Sequence, residues 1–450
     1  MSETADRGHW GSRLGFLLAC AGSAVGLGNI WKFPYIAGEN GGGAFVLIYL
    51  VCIFFVGIPI MICEFAIGRS THSSPVKAFG ELSGGSKGWI GAGILSVAAA
   101  FVLLSFYSVV AGWAMHYVYL SVTGFGGATG AEAIGGIFGE VFSSTKGNLF
   151  WHFAFIAMTT GIVLGGVQAG IERASRILMP TLFIMLFILL AKAVTMPGFG
   201  KAVTFVFYPD LSKLSSAGIL EALGHSFFTL SLGMGSMMTY GSYLKDDFDI
   251  VRSSFVISVL DTAVALLACL IMYPIIFSFG MDPQAGPGLV FKSMPIVFAQ
   301  MPFGMPLATL FFVLLTFAAL SSAISLLEPV TAYMIDNRGW SRVKATLIPA
   351  AAIFLFGVPS ALSGDILSGY HLVGEKTFFD TMDFLVSNIM MPLAGLFIAV
   401  FVGYRMDIEI VKKEFASGKP LNKLFSVWFF MVKYVCPVAV TAVFIHVITK

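Results

Sequence analysis

The sequence predicts an all-α polytopic membrane protein with eleven transmembrane helices, read as two inverted five-helix repeats plus one extra helix. Three observations predict it. Of the 450 residues, 57% are hydrophobic and only 11% charged, and the mean hydropathy is +0.89; a soluble domain carries about 25% charged residues. Eleven apolar stretches are each long enough to cross a bilayer, which takes about 20 residues. Two of them are interrupted by glycine, and the interruption falls in the first member of each group of five.

The first stretch, 13–37, reads RLGFLLACAGSAVGLGNIWKFPYIA. Its middle, 22–29, is a poor helix, because each interior glycine costs about 1 kcal/mol relative to alanine. Within lipid a broken helix is tolerated only where the freed backbone groups find partners in a protein-lined cavity. The next four stretches are 42–70, 89–124, 149–166 and 174–196, so 13–196 forms the first repeat. The sixth stretch, 218–244, repeats the break as GHSFFTLSLGMG at 224–235. It is followed by 252–280, 306–335, 342–358 and 379–404, so 218–404 forms the second repeat, and 425–449 is the additional helix. Five spans per repeat place the two halves in opposite orientation. No span sequence is obviously shared between them, so the repeat rests on the breaks. Several stretches exceed the length of one crossing and should tilt or project.

Orientation follows from the cations. With the amino terminus cytoplasmic, 17 of the 26 Lys and Arg fall inside and eight outside, with Lys433 left within the last span. That bias places the amino terminus in, as expected of a multi-pass protein of the cell (inner) membrane. The polar start MSETADRGHW is not expected to be a cleavable leader. The five cysteines all lie in apolar stretches and suggest neither a disulfide framework nor a metal cluster. A net charge of +2 gives no reason to expect nucleic acid. The seven scattered histidines form no metal-spaced pair, and nucleophile elbow and phosphate loop are both missing, so an enzyme is not expected.

Paired breaks in corresponding halves are the sequence pointer to a transporter's binding site; the same glycines would also serve as close-packing surfaces between helices. Amino ends of half-helices favour an anion, and unwound carbonyls favour a cation. Ala24 and Gly26 let a ligand approach the backbone, and Gly26 has no side chain to neutralise a ligand amine. The expected ligand therefore brings its own carboxylate.

At this point the run AGSAVGLGNIWKFPYIAGENGGGAF at 21–45 resembles the first span of the neurotransmitter:sodium symporter family, and SFFTLSLGMG at 226–235 resembles its sixth. This family is itself the standard case of the broken-helix rule, so the two arguments are not independent. The resemblance continues in RLG at 13–15, GIPIMICEFAIGR at 57–69, SSAISLLEP at 321–329 and FDTMDF at 379–384. It is strongest to the bacterial amino-acid branch, within that to transporters of several hydrophobic amino acids, and eleven spans fit that subgroup. The resemblance implies a leucine-transporter-type fold, two sodium ions, and sodium-coupled import of hydrophobic L-amino acids. A non-transporting, sodium-dependent amino-acid sensor is the alternative. Oligomeric state is left open.

For the first sodium the resemblance implies the Ala24 carbonyl with Asn29, Thr229 and Asp261, completed by the ligand carboxylate. The family often has Asn where this chain has Asp261, and eukaryotic members complete a chloride site with a serine where this chain has Ala265. Asp261 is therefore expected to supply the negative charge itself, making the protein chloride-independent. An intramembrane carboxylate marks a functional site by default. For the second sodium the resemblance implies carbonyls of Gly22, Val25 and Ala318 with hydroxyls of Ser321 and Ser322; two such serines would otherwise read as bonded back to the preceding turn.

The substrate pocket implied by resemblance comprises Ala24, Gly26, Leu27, Leu103, Tyr107, Phe228, Ser231, Leu232, Gly233, Met234, Ser322 and Leu326. Met234 has a flexible thioether that repacks around different shapes, which argues for aliphatic and aromatic ligands alike. The outer gate implied is Lys32 with Asp383, over Tyr107 and Phe228; the family usually has Arg at the Lys32 position, and Lys lacks its bidentate fork. The inner gate implied is Arg7 with Asp336, near Trp10, Ser242 and Tyr243. Glu64 is expected to pack against the break in the first span. His225 reads equally as a neighbour of the sodium site or as a packed ring. Gly170 and Pro180 bracket the start of the fifth span and are read as a hinge that unwinds, or as a static kink.

Overall fold

The computed structural model describes residues 8–128, 130–281, 283, 289–418, 420 and 423–449, with side chains to residue 445. Among them there is no β-strand, only an isolated bridge between Val373 and Lys376. Each of the eleven apolar stretches is helical. Nine are single helices: Gly43–Thr71, Lys87–Val122, Thr145–Leu164, Val167–Val194, Ile250–Ser278, Gly304–Arg338, Arg342–Ala361, Phe378–Arg405 and Lys423–Ile445. The first span is a pair, Arg13–Ala24 and Gly28–Glu39, bent by 45°. The sixth is Ser216–Thr229 and Ser236–Gly241, separated by an irregular stretch.

The chemistry of each break is local. Helix Arg13–Ala24 starts on Ser12, whose hydroxyl accepts from the Gly15 N–H, and stops where Val25 turns extended. In the sixth span Ser231, Gly233 and Gly235 all have positive φ (54°, 76° and 72°). That conformation is open to glycine and costly for serine. A Cβ on Gly233 would lie 2.3 Å from the Met391 carbonyl, so glycine is also required by space.

Lys87–Val122 has 36 residues and Gly304–Arg338 has 35. At 1.5 Å per residue each exceeds 50 Å, roughly, against a ~30 Å hydrocarbon core. These third and eighth spans form the largest helix–helix contact, and both breaks pack against the eighth. Five shorter helices, Pro75–Leu82, Ala131–Phe142, Phe199–Phe207, Met294–Gln300 and Ile408–Ala416, lie between spans. Apolar-run counting missed them because none is long enough to cross.

Candidate functional site

The two breaks meet at a small central cavity of about 20 Å³. That is room for about one water, which takes roughly 10–15 Å³, and far below the roughly 300 to 1,000 Å³ of ligand pockets, so the walls are drawn together here. Nine of the expected pocket residues line it: Ala24, Gly26, Leu103, Tyr107, Phe228, Ser231, Met234, Ser322 and Leu326. No charged side chain does. Ser23, Gly28 and Thr229 complete the wall. Three expected residues do not line it. The Leu27 N–H donates to Tyr107 Oη (3.3 Å), the Leu232 N–H donates to the Phe227 carbonyl (2.9 Å), and the Gly233 N–H donates to Glu64 Oε1 (2.7 Å). Gly26 needs its bare Cα, because a Cβ there would lie 2.3 Å from Ser322 Oγ.

On one side of the cavity Asp261 is fully buried and fully bonded. Its Oδ1 accepts from Asn29 Nδ2 (2.7 Å) and Thr229 Oγ1 (2.8 Å), and its Oδ2 accepts from Tyr49 Oη (2.9 Å). The Gly26 N–H donates to Asn29 Oδ1 (3.0 Å), which ties this cluster to the first break. Asn29, Thr229 and Asp261 are therefore assembled as expected, and Ala24 borders them in the cavity wall. Tyr49 was not anticipated, since nothing local links residue 49 to residue 261.

On the other side all five residues expected for a second cation converge. Ser321 Oγ donates to the carbonyls of Ala318 (2.9 Å) and Val25 (3.4 Å). Ser322 Oγ donates to those of Ser23 (3.0 Å) and Gly22 (3.4 Å). This is a buried, uncharged set of hard oxygen donors, suited to sodium. Around it runs a chain of serines in which sequence reading named Ser231 and Ser322 but missed Ser23, Ser236 and Ser325. Ser23 Oγ donates to Ser325 Oγ (2.6 Å), Ser325 Oγ to the Ser322 carbonyl (2.8 Å), Ser236 Oγ to the Ser325 carbonyl (2.8 Å), and Ser231 Oγ to the Ser23 carbonyl (2.8 Å). The available signal was Ser325 one turn beyond Ser322, the spacing that shares a helix face.

Above the cavity Lys32 Nζ lies 3.3 Å from Asp383 Oδ1 and 4.8 Å from the centre of the Phe228 ring. Ser387 Oγ also donates to Asp383 (2.9 Å). Lys32 thus touches both Asp383 and Phe228, and Phe228 shares the cavity wall with Tyr107. At the opposite end Trp10 Nε1 donates to the Tyr240 carbonyl (2.9 Å), and the Trp10 N–H to that of Tyr243 (3.3 Å). Ser242 Oγ donates to the Thr239 carbonyl (2.7 Å). Arg7 lies outside the described residues. Asp336 Oδ2 accepts from the Ser74 N–H (2.6 Å). A buried ion pair at this end is one that sequence reading did not single out: Arg342 NH2 on Glu328 Oε2 (2.5 Å), with Tyr243 Oη on Glu328 Oε1 (2.6 Å) and the Val163 carbonyl on the guanidinium (2.8 Å).

One further expectation changes, and one open reading narrows. Glu64 serves the sixth-span break and not the first: it accepts from Gly233 and Met238 N–H groups, because those amides are the ones the irregular stretch leaves without helical partners. His225 is a packed ring, 5.6 Å from Phe33, 5.8 Å from Tyr49 and 6.2 Å from Phe228, with neither nitrogen hydrogen-bonded. Gly170 lies in the π-helical turn Val167–Glu172, and Pro180 lies inside the α-helix Arg173–Val194, so 170–180 is wound here. Gly170 has a packing reason as well, since a Cβ would lie 2.1 Å from the Ile162 carbonyl. Glu172 at the end of that turn accepts from the Gly11 N–H (2.7 Å), Ser12 Oγ (3.0 Å) and Arg176 (2.5 Å), fastening the amino-terminal segment to the fifth span.

Comparison with known proteins agrees with this geometry. Residues 7–126 and 141–450 match the model of the sodium:neurotransmitter symporter family. An uncharacterized sodium-dependent transporter of Bacillus subtilis, YhdH, is 39% identical, over 98% of this chain and 97% of that protein. A sodium-dependent transporter of Haemophilus influenzae is 34% identical over 99% of each. The human sodium- and chloride-dependent GABA transporter 2 is 26% identical, over 74% of this chain and 62% of that protein. The crystal structure of MhsT in complex with L-phenylalanine superposes with a TM-score of 0.91 at 41% identity, covering 98% of this chain and 99% of that one.

Proposed function

Since the chain belongs to the sodium:neurotransmitter symporter family, we propose that it imports hydrophobic L-amino acids, aliphatic and aromatic, together with two sodium ions and without chloride. The observation that carries this reading is the central cavity. Backbone of the first break and the Tyr107 hydroxyl border it, Leu103, Met234 and Leu326 supply an apolar wall, and no charged side chain enters. An amino acid would enter with its carboxylate toward the break and its side chain against the apolar wall once these walls part to enlarge the cavity. The bound L-phenylalanine of MhsT, at 41% identity, supports the same ligand class.

The first sodium would sit among the Ala24 carbonyl, Asn29, Thr229 and Asp261, with the ligand carboxylate as its remaining partner. The second would sit among the Gly22, Val25 and Ala318 carbonyls and the Ser321 and Ser322 hydroxyls. Because the second set joins the first break to the eighth span, sodium there favours the arrangement with that seam closed. Ligand joins the first site to the sixth-span break. Coupling is then the differential affinity of sodium and ligand for the outward- and inward-open states. Lys32, Asp383, Tyr107 and Phe228 would close the outer side; Trp10, Ser242, Tyr243 and Asp336, with Arg7, the inner. Repeats 13–196 and 218–404 would rock about the site, with 425–449 outside them and the amino terminus cytoplasmic in the cell membrane.

Substrate class is tested by competition. Labelled leucine and unlabelled tryptophan should compete for one sodium-dependent site on the purified protein, equally well in chloride and gluconate. Met234→Phe should narrow the range, lowering tryptophan affinity relative to leucine by about tenfold, the size of effect one overfilled pocket contact produces. An unaltered tryptophan-to-leucine ratio would count against Met234 as the adaptable wall.

The fifth span supplies the inner water path in this reading. Gly170 and Pro180 bound a stretch whose helical bonds are weakened at both ends. Backbone amides of 170–180 should exchange hydrogen faster in sodium-free protein than in sodium. Equal exchange in both conditions would leave Gly170 and Pro180 as packing and kink residues only.

A further inference from the structure

Lys433 is a cation within the last span that takes no part in the cavity or the gates. Its position is set by the neighbouring tenth span. Tyr404, one residue before that helix ends at Arg405, donates its hydroxyl to the Lys433 carbonyl (2.7 Å). Gly403 permits the approach, since a Cβ there would lie 3.3 Å from Lys433 Cα. Lys433 is thus level with the carboxyl end of the tenth span. The last span begins ten residues earlier, at Lys423, so it projects about 15 Å beyond that level. Both helices are π-helical where they meet, Phe401–Arg405 and Met431–Val435, a form that recurs at functional sites.

The ammonium lies 5.0 Å from the centre of the Tyr404 ring and 5.9 Å from that of Tyr434. Both rings are exposed on the outer surface of the bundle, by 57% and 50%. Among the described residues no carboxylate pairs with Lys433. The acidic groups of the adjoining helix Ile408–Ala416 are engaged elsewhere, Glu409 with Lys412 and Glu414 with Arg69, and Asp407 caps the Glu409 N–H. Further along the last span the surface is apolar, with Val438 and Ile445 exposed. An ammonium near a span end attracts anionic groups at the membrane surface, and among the described residues protein supplies two aromatic faces and no anion. The same end of the bundle carries Arg405, Lys412, Lys413 and Lys423, the side assigned to the cytoplasm, where anionic lipids attract basic residues.

We propose that Lys433, between Tyr404 and Tyr434, binds the phosphate of an anionic phospholipid whose acyl chains lie along Val438 and Ile445. The test uses the full-length protein in micelles holding equimolar palmitoyl-oleoyl phosphatidylglycerol and phosphatidylcholine, with bound lipid counted by native mass spectrometry. Wild type should retain one more phosphatidylglycerol than Lys433→Gln, whose affinity should be about fivefold weaker. Tyr404→Leu should weaken retention in the same direction, and it decides the matter if Lys433→Gln does not fold. Sodium-dependent leucine binding reports the fold of each variant. Equal phosphatidylglycerol retention in wild type and variants would overturn the proposal. So would equal retention of phosphatidylcholine, or displacement of the lipid by millimolar inorganic phosphate, which would indicate a free-phosphate site.

Discussion

Asp261→Asn is expected to weaken sodium binding by on the order of a hundredfold while leaving the protein folded. Asp261 is fully buried and accepts from Asn29, Thr229 and Tyr49. An asparagine keeps an acceptor for Asn29 and Thr229 and turns its amide toward the Tyr49 hydroxyl, which also accepts. The hydrogen-bond count survives, and what is lost is the charge. At about 4 Å and an effective dielectric of about 20, one unit charge contributes about 4 kcal/mol. The amide dipole keeps part of that, leaving about 3 kcal/mol, or roughly two orders of magnitude in affinity. Sodium titrations of labelled-leucine binding measure it directly. The same titrations in chloride and gluconate ask whether an added anion replaces the missing charge; the variant should gain a response to chloride that wild type lacks. A wild-type sodium midpoint in Asp261→Asn would remove this residue from the sodium site.

Arg342→Gln is expected to destabilise the protein by about 3–5 kcal/mol, the cost of leaving one buried charge without its partner. Glu328 has no exposed surface and is held by Arg342 and by the Tyr243 hydroxyl. Arg342 also bonds the Val163 carbonyl at the end of the fourth span. One guanidinium therefore joins the fourth, eighth and ninth spans, with Tyr243 just beyond the sixth. Adding Glu328→Gln to Arg342→Gln removes the orphaned charge and restores a neutral pair, so the double variant should melt at a higher temperature than Arg342→Gln alone. That non-additivity separates pairing from mere loss of a side chain. Melting of Arg342→Gln at the wild-type temperature would show that the pair contributes nothing to stability.

The breaks were legible because their cause is local. Glycines at 22–28 and 233–235 weaken the helix wherever it is placed, and the chain breaks within or beside both runs. The second oxygen cluster was legible only through the family resemblance. Ser321 and Ser322 alone read as back-bonding serines, and Ser321 does bond back to Ala318 as well as reach Val25. Residues that bridge separate spans were not legible. Tyr49 to Asp261, Glu64 to Gly233 and Arg342 to Glu328 depend on how helices rotate against one another, and apolar periodicity carries little of that in spans that are apolar on every face. Glu64 shows how the error arises. Its sequence neighbourhood pointed to the nearer break, while the amides left without partners were those of Gly233 and Met238.

The central claim is that sodium entry drives amino-acid accumulation through this cavity. It is tested by labelled leucine in proteoliposomes with an inward sodium gradient, choline replacing sodium in the control. The account predicts leucine concentrated above the external level, collapsing when the gradient is dissipated, and unchanged when gluconate replaces chloride outside. Sodium-dependent binding with no accumulation in vesicles would contradict it, and would make the protein a sensor built on a transporter's fold.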